Sequence, residues 1–277
     1  MSALTLEVAG RRYQALVRDG VDIAIPLDFA GPQPAHFGAA PARAEPMRSG
    51  SFVGDTRQGG SCNARVVSLN VHCNGTHTEG VGHVTDDACA IAELVREPLY
   101  LAALVSVAPV VATASGETSA HPFEAGDRVI TRAALAAALV DFDTAGNQAL
   151  VVRTTPNGSD KRTRRYEGTS PAPFFTLEAA ARLVELGIEH LLVDLPSIDR
   201  AQDGGLLAAH RVFWGLPAGS RSRALAARPA ATITELCYVP DTLDDGLYLL
   251  SLQLPAFVSD AAPSRVLLYP ATLEDDA

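Results

Sequence analysis

Apolar and polar residues alternate with a period of two over residues 4–17, interrupted by Gly10-Arg11, which predicts an N-terminal β-hairpin. Residues 26–60 are rich in Pro, Gly and Ala and hold no sustained period, so long ordered loops are expected there. Residues 66–71 read as a strand that runs directly into a histidine-rich segment. Residues 99–114 are largely apolar and read as buried strand; the stretch is too short to span a bilayer, and Pro109 interrupts it. Thr131 can cap an alanine-rich helix over 132–140, and residues 149–153 form the next strand. Thr176 can cap a second helix over 177–186, with Glu178 in its first turn and Gly187 just past its end. Residues 188–194, 248–252 and 266–269 are further strands.

Helices alternating with apolar strands predict an α/β fold: one domain over 1–277, with a mixed, partly parallel sheet and flanking helices. Residues 1–60 supply the hairpin and loops, and residues 65–270 the core.

Composition narrows the function. A chain of 277 residues, 47% hydrophobic and 19% charged, can bury a large core and is not disordered. A net charge of −10 argues against nucleic-acid binding, which needs a basic surface. No membrane association is expected. Cys62, Cys73, Cys89 and Cys237 form no CxxC pair, and the first residues lack a basic region followed by an apolar stretch. Reduced thiols and a cytoplasmic location are therefore expected. The basic run 161–165 reads as a solvated loop or as a contact for an anionic substrate or a neighbouring subunit. Arg153 is a second candidate for a substrate carboxylate. Phe174, Phe175 and Trp214 either line an aromatic pocket or pack in the core.

Three of the seven histidines, His72, His77 and His83, crowd into one short segment. His77, Glu79 and His83 are separated by even steps, so an extended chain would present them on one face. Imidazole nitrogen and carboxylate oxygen together suit zinc, manganese or iron. His72 breaks the parity and Cys73 keeps it. His72 joins only through a local turn, for which Asn74-Gly75 is suited; it is preferred, with Cys73 as the competing first ligand.

The segment resembles the metal-dependent cyclase and arylformamidase (kynurenine formamidase) family, whose hallmark reads His-x-Gly-Thr-His-x-Asp-x-Pro-x-His. Gly75, Thr76, His77 and His83 match in register. Glu79 stands in place of Asp, Val81 in place of Pro, and strict spacing puts Cys73 where the first His belongs. The likeness continues through Asp194-Leu195-Pro196-Ser197-Ile198-Asp199, then Leu207-Ala208-Ala209-His210, then Ile233-Thr234-Glu235-Leu236, covering roughly residues 65–270.

The resemblance implies a swivelling β/β/α-like fold and a ligand set of His72 or Cys73, His77, Glu79, His210 and Glu235. It implies one or two divalent ions, Zn²⁺ first and Mn²⁺ second, with His83 as general base or acid. Asp194 and Asp199 are expected to be structural, accepting backbone N–H bonds ahead of His210. The implied reaction is hydrolysis of a C–N amide bond in a small formamide or cyclic amide, by a homodimer or higher homo-oligomer. Two other readings stay open: a lyase or cyclase acting on a carbonyl compound through the same metal, and a metal-binding protein without catalysis. On residues alone, His210 could equally balance a helix C-terminus, and Glu235 could be a solvated strand-edge carboxylate.

Overall fold

The computed structural model describes residues 2–140, 142, 146, 148–166 and 171–274. Met1 and residues 275–277, the ends of the expected domain, lie outside the described residues.

The central sheet has nine strands, numbered here in chain order: β1 (Val21–Asp22), β2 (His77–Glu79), β3 (Tyr100–Val107), β4 (Ala149–Thr154), β5 (His190–Val193), β6 (Thr232–Glu235), β7 (Gly246–Gln253), β8 (Ala261–Pro263) and β9 (Arg265–Pro270). Their spatial order is β8-β2-β6-β5-β4-β3-β7-β9-β1. The middle four, β6-β5-β4-β3, run parallel, and the flanking pairs are antiparallel. The mixed, partly parallel α/β sheet expected from the sequence is the one observed.

Each parallel step crosses over through a helix: α1 (Arg132–Ala138), α2 (Leu177–Glu185) and α3 (Ala208–Trp214). Thr131 and Thr176 cap the first two, accepting from the N–H groups of Ala134 and Ala179. All three helices lie against one core, in which Leu135, Leu183 and Phe213 meet Leu150, Val152, Leu191 and Val193. The alternate strand residues Ala149, Val151 and Leu192 pack in the opposite core, with Tyr248, Leu250 and Leu268. Strands buried on both faces read as continuous apolar runs rather than alternations, as these do.

The N-terminal hairpin, Ala3–Val8 with Arg11–Leu16, pairs in register from Ala3↔Leu16 to Val8↔Arg11. Three expectations need correction. The 66–71 strand is Arg65–Ser68; it pairs with Arg43–Pro46 in a separate sheet and is exposed along its whole length. Its β-branched residues therefore mark extended backbone and not burial. The 99–114 stretch divides after Val107, and Val110–Val111 joins a different, three-stranded sheet. Helix α1 ends at Ala138, leaving Val140 exposed.

Candidate metal centre

The site lies where β2 passes between β6 and β8. His77 faces Glu235 directly across the β2–β6 pair, and Glu79 faces Ala261 across the β2–β8 pair. Because strand side chains alternate, His77 and Glu79 share a face. Thr78, on the other face, is fixed by Thr234 Oγ1 at 2.8 Å and Ser264 Oγ at 2.5 Å. Thr76 pins the approach to the strand: its hydroxyl donates to the Leu236 carbonyl and accepts from the Ile25 N–H. That is the physical role of Thr76 in the motif.

His72 reaches the cluster through a turn centred on 70–74, one step earlier than Asn74-Gly75. The Asn70 carbonyl accepts from the N–H groups of Cys73 and Asn74, and the Asn74 side chain accepts from the Asn70 N–H. His83 also arrives by a turn. After Gly80 the chain winds into a 3-10 turn, Val81–Val84, so His83 is not delivered by an extended strand as the even spacing suggests. Gly82 allows this turn to close, since a Cβ there would lie 3.1 Å from both Asp260 Cβ and Cys89 Cβ.

His210 sits in the first turn of α3, not near a helix C-terminus, so dipole balancing does not account for it. The helix has no side-chain cap of its own. Asp199 supplies one, accepting from the N–H groups of Ala209 and His210. The same carboxylate accepts the His210 Nδ1–H at 2.7 Å. This leaves Nε2 facing Glu79 Oε1 at 2.9 Å and Glu235 Oε1 at 3.5 Å. His77 is set up in parallel. Its Nδ1 lies 2.9 Å from the Gly75 carbonyl, which can only accept, so Nδ1 carries the hydrogen and Nε2 points at Glu235 Oε2, 3.6 Å away. Outer partners that fix a histidine tautomer in this way are a hallmark of metal ligation. Asp194 is occupied elsewhere, accepting from Thr154 N and Oγ1 and pairing with Lys161.

The electrostatics are those of a cluster whose charges hold one another. Both ring nitrogens of His72 face carboxylates, Glu79 Oε2 and Asp260 Oδ2, each at 2.9 Å. Burial alone would lower the His72 pKa, but the bonds to Asp260 and Glu79 and their charges raise it to about 10. Burial likewise opposes ionisation of Glu79, yet the His83 and His210 charges hold its carboxyl well below the usual range. His210 is raised well above its ordinary value against its burial, chiefly by the Glu79 charge and the Asp199 bond. Glu235 is lowered in spite of burial and the Glu79 charge, through its contacts with His210 and His77. The bonds from His72 and His83 hold Asp260 low.

These residues fit a divalent cation. His77 Nε2, Glu79 Oε1 and His210 Nε2 are buried and have no hydrogen-bond partner. Buried polar atoms are rarely left so, and three in one cluster point to a cationic partner. Three overlapping donor sets occur among the described residues: His72, His77 and Glu79; His72, His83 and Asp260; and Glu79, His83 and His210. Within each set the donor atoms lie within 4.8 Å of one another. Sharing of Glu79 between sets leaves room for one ion or two.

Of the expected residues, the structure brings His72, His77, Glu79, His83 and His210 into these sets. Glu235 borders them through His77 and His210 and also accepts the Ile198 N–H. Cys73 belongs to no set. Burial and the Glu235 charge raise its pKa, which disfavours a thiolate. Asp260 was missed by sequence reasoning. It lies just ahead of β8, and its carbonyl accepts from the Gly80 N–H; no local motif announces it.

The other candidates have internal roles. Arg153 is bound by Ser106, Asp245 and the carbonyls of Pro240 and Leu243. In the basic run, Lys161 is buried against Asp194, Arg164 pairs with Asp160, and Arg162 lies over the Tyr238 ring. Phe174, Phe175 and Trp214 are fully buried; Trp214 donates to the Ala231 carbonyl and lies 5.4 Å from the His210 ring.

A family model described as "Putative cyclase" matches residues 21–200. The chain belongs to the cyclase family. The matched span of this cyclase-family chain holds the first motif block and Asp194 to Asp199, while His210, Glu235 and Asp260 lie beyond it. No curated protein matches the chain significantly. Among solved structures, it is similar to a "potential metal-dependent hydrolase with cyclase activity", with 17% identity and a TM-score of 0.59 over 90% of this chain and 96% of that one. Isatin hydrolase A from Labrenzia aggregata, solved with benzyl benzoate, gives 18% identity and a TM-score of 0.59 over 91% and 93%. Isatin hydrolase A from Ralstonia solanacearum gives 16% and 0.57 over 91% of each chain. At such identities these likenesses establish the shared fold. No helix among the described residues is long and apolar enough to cross a membrane.

Proposed function

We propose that this cyclase-family chain is a metal-dependent hydrolase that cleaves the C–N amide bond of a small substrate, a formamide or a cyclic amide, in the manner of a kynurenine formamidase. The observation that carries the reading is that His77 Nε2, His210 Nε2 and Glu79 Oε1, from donor sets that share Glu79, are buried without a hydrogen-bond partner. Zn²⁺ is the first choice for this nitrogen and oxygen donor set and Mn²⁺ the second. When bound, such an ion lowers the pKa of water to about 7 and polarises a carbonyl oxygen.

The chain's own residues do the rest. The Gly75 carbonyl and the Asp199 carboxylate hold His77 and His210 in the tautomer that offers Nε2. Glu79 and Glu235 balance the positive charge in a dry setting. His83, with Nδ1 at 3.7 Å from both Glu79 and Asp260, is partly open to solvent. It takes a proton from the attacking water and returns it to the departing nitrogen. A cytoplasmic homodimer or higher homo-oligomer is part of the proposal, to be checked by light scattering.

The test is turnover of formanilide, N-formylkynurenine and isatin by Zn²⁺- or Mn²⁺-loaded protein in ¹⁸O-labelled water. The proposal expects a carboxylate product carrying one labelled oxygen. An unlabelled product would point to a lyase or cyclase reaction, and no turnover with metal in place would point to a protein that only binds metal.

A further inference from the structure

Among the described residues, four side chains carry buried polar atoms without a hydrogen-bond partner. Three are His77, Glu79 and His210, which belong to the candidate metal cluster. The fourth is His36, which is 2% exposed and has neither ring nitrogen partnered.

The loop around His36 is built to hold this ring. The Gln33 side chain donates to the carbonyls of Asp28 and Ala42 and accepts the Ala42 N–H. The His36 carbonyl accepts from the Ala39 N–H, closing a turn in which Phe37 and Gly38 take φ values of 51° and 64°. A phenylalanine at positive φ is strained, and such strain gathers at functional sites. The Asn74 side chain donates to the Ala40 carbonyl, tying the loop to the metal segment. On the other side, Ala35 exchanges backbone bonds with Arg164 and Tyr166. The His36 ring packs on Phe37 and meets Tyr166 edge-on, with centroids 4.0 and 6.3 Å away.

Glu235 and His77 of the metal cluster act on His36 electrostatically, and burial lowers its pKa. A neutral imidazole offers one N–H donor and one lone-pair acceptor. His36 belongs to none of the three metal-donor sets, so the cation does not account for it.

We propose that His36 is a substrate-binding residue of this site, whose unprotonated ring nitrogen accepts the N–H of a ligand such as a secondary amide. The ligand class rests on the amide-hydrolase reading; the contact with substrate does not.

His36→Phe keeps the ring packing and removes both polar atoms, whereas His36→Gln keeps a donor and an acceptor. Formanilide and phenyl formate serve as an amide and its matching ester. His36→Phe is expected to bind metal like the wild type and to raise KM for formanilide roughly ten- to a hundredfold. It should narrow the preference for amide over ester, and His36→Gln should recover part of the loss. Unchanged KM with intact metal content, as would follow if an internal water satisfies the ring, overturns the proposal. Loss of metal in His36→Phe overturns it too, because the ring would then support the metal site.

A readout without turnover separates this proposal from the amide reading. Metal-loaded protein carrying ¹⁵N-histidine is titrated with benzohydroxamate, which shares the N–H of a secondary amide. The His36 resonances, identified by their absence in His36→Phe, should move. If they stay fixed at saturating hydroxamate the proposal fails, whereas absence of amide turnover alone removes only the amide reading.

Discussion

Replacing Asp199 tests how His210 is held. Three donors meet on this carboxylate: the Ala209 N–H at 2.9 Å, the His210 N–H at 3.1 Å and the His210 Nδ1–H at 2.7 Å. All are buried. Asp199→Ala leaves two backbone N–H groups without an acceptor. At roughly 1–3 kcal/mol for each unsatisfied buried group, the expected loss of stability is about 2–6 kcal/mol. Asp199→Asn is milder and more informative. Its amide has one acceptor oxygen, so one orientation deprives Ala209 and the other places a donor against His210 Nδ1. The second orientation favours the His210 tautomer with hydrogen on Nε2, the atom that should bind metal. Loss of an orienting partner of this kind typically lowers metal affinity about 10–100-fold. Urea denaturation of the metal-free variants and competition titration with Zn²⁺ read the two effects separately. Refutation would be an Asp199→Asn protein that binds Zn²⁺ as tightly as the wild type, or an Asp199→Ala protein less than about 1 kcal/mol destabilised.

The pH dependence of the metal-free protein has a definite sign. His72 is raised in the folded state from its ordinary 6.5 to about 10, so its contribution is full below pH 6.5 and is lost as pH rises through about 10. Thermal melts of chelator-treated protein should show a decline across that window, which metal loading removes; a flat profile would contradict the His72 assignment. Metal binding should also release protons, measurable as buffer-dependent heats in calorimetry. Lys161→Met strands the buried Asp194 carboxylate and should cost about 3–5 kcal/mol in urea denaturation, most of it recovered when Asp194→Asn is added. Arg153→Ala should reduce stability while leaving KM unchanged for any substrate turned over, since the guanidinium is held by Ser106, Asp245 and two carbonyls; a large rise in KM would return it to the substrate site.

Much of the fold was legible because burial on both faces writes itself as apolar runs at β3, β4 and β5, and because Thr131 and Thr176 mark helix starts chemically. His77 and Glu79 were legible for a similar reason: two strand residues two apart share a face whatever the rest of the chain does. What failed depended on turns. The even spacing to His83 assumed an extended chain, whereas Gly80 and Gly82 allow a 3-10 turn. His72, preferred over Cys73 on the strength of a local turn, is reached by a turn over 70–74 and not at Asn74-Gly75. Asp260 was invisible since it meets His72 only through a strand pairing 188 positions away. His36 stands in an aperiodic loop, and its significance lies in the lack of a partner, which a sequence does not display. The reverse error occurred at Val66 and Val67, where an apolar pattern carries no burial because no layer covers that strand.

A crystal structure of the metal-loaded protein, with anomalous differences recorded at the metal edge, tests the central claim most directly. A stoichiometric ion is expected at about 2.0–2.2 Å from His77 Nε2 and a Glu79 oxygen, with His72 as the first-block ligand. No ion at that position, or an ion held by Cys73 Sγ at about 2.3 Å in place of His72, would contradict it.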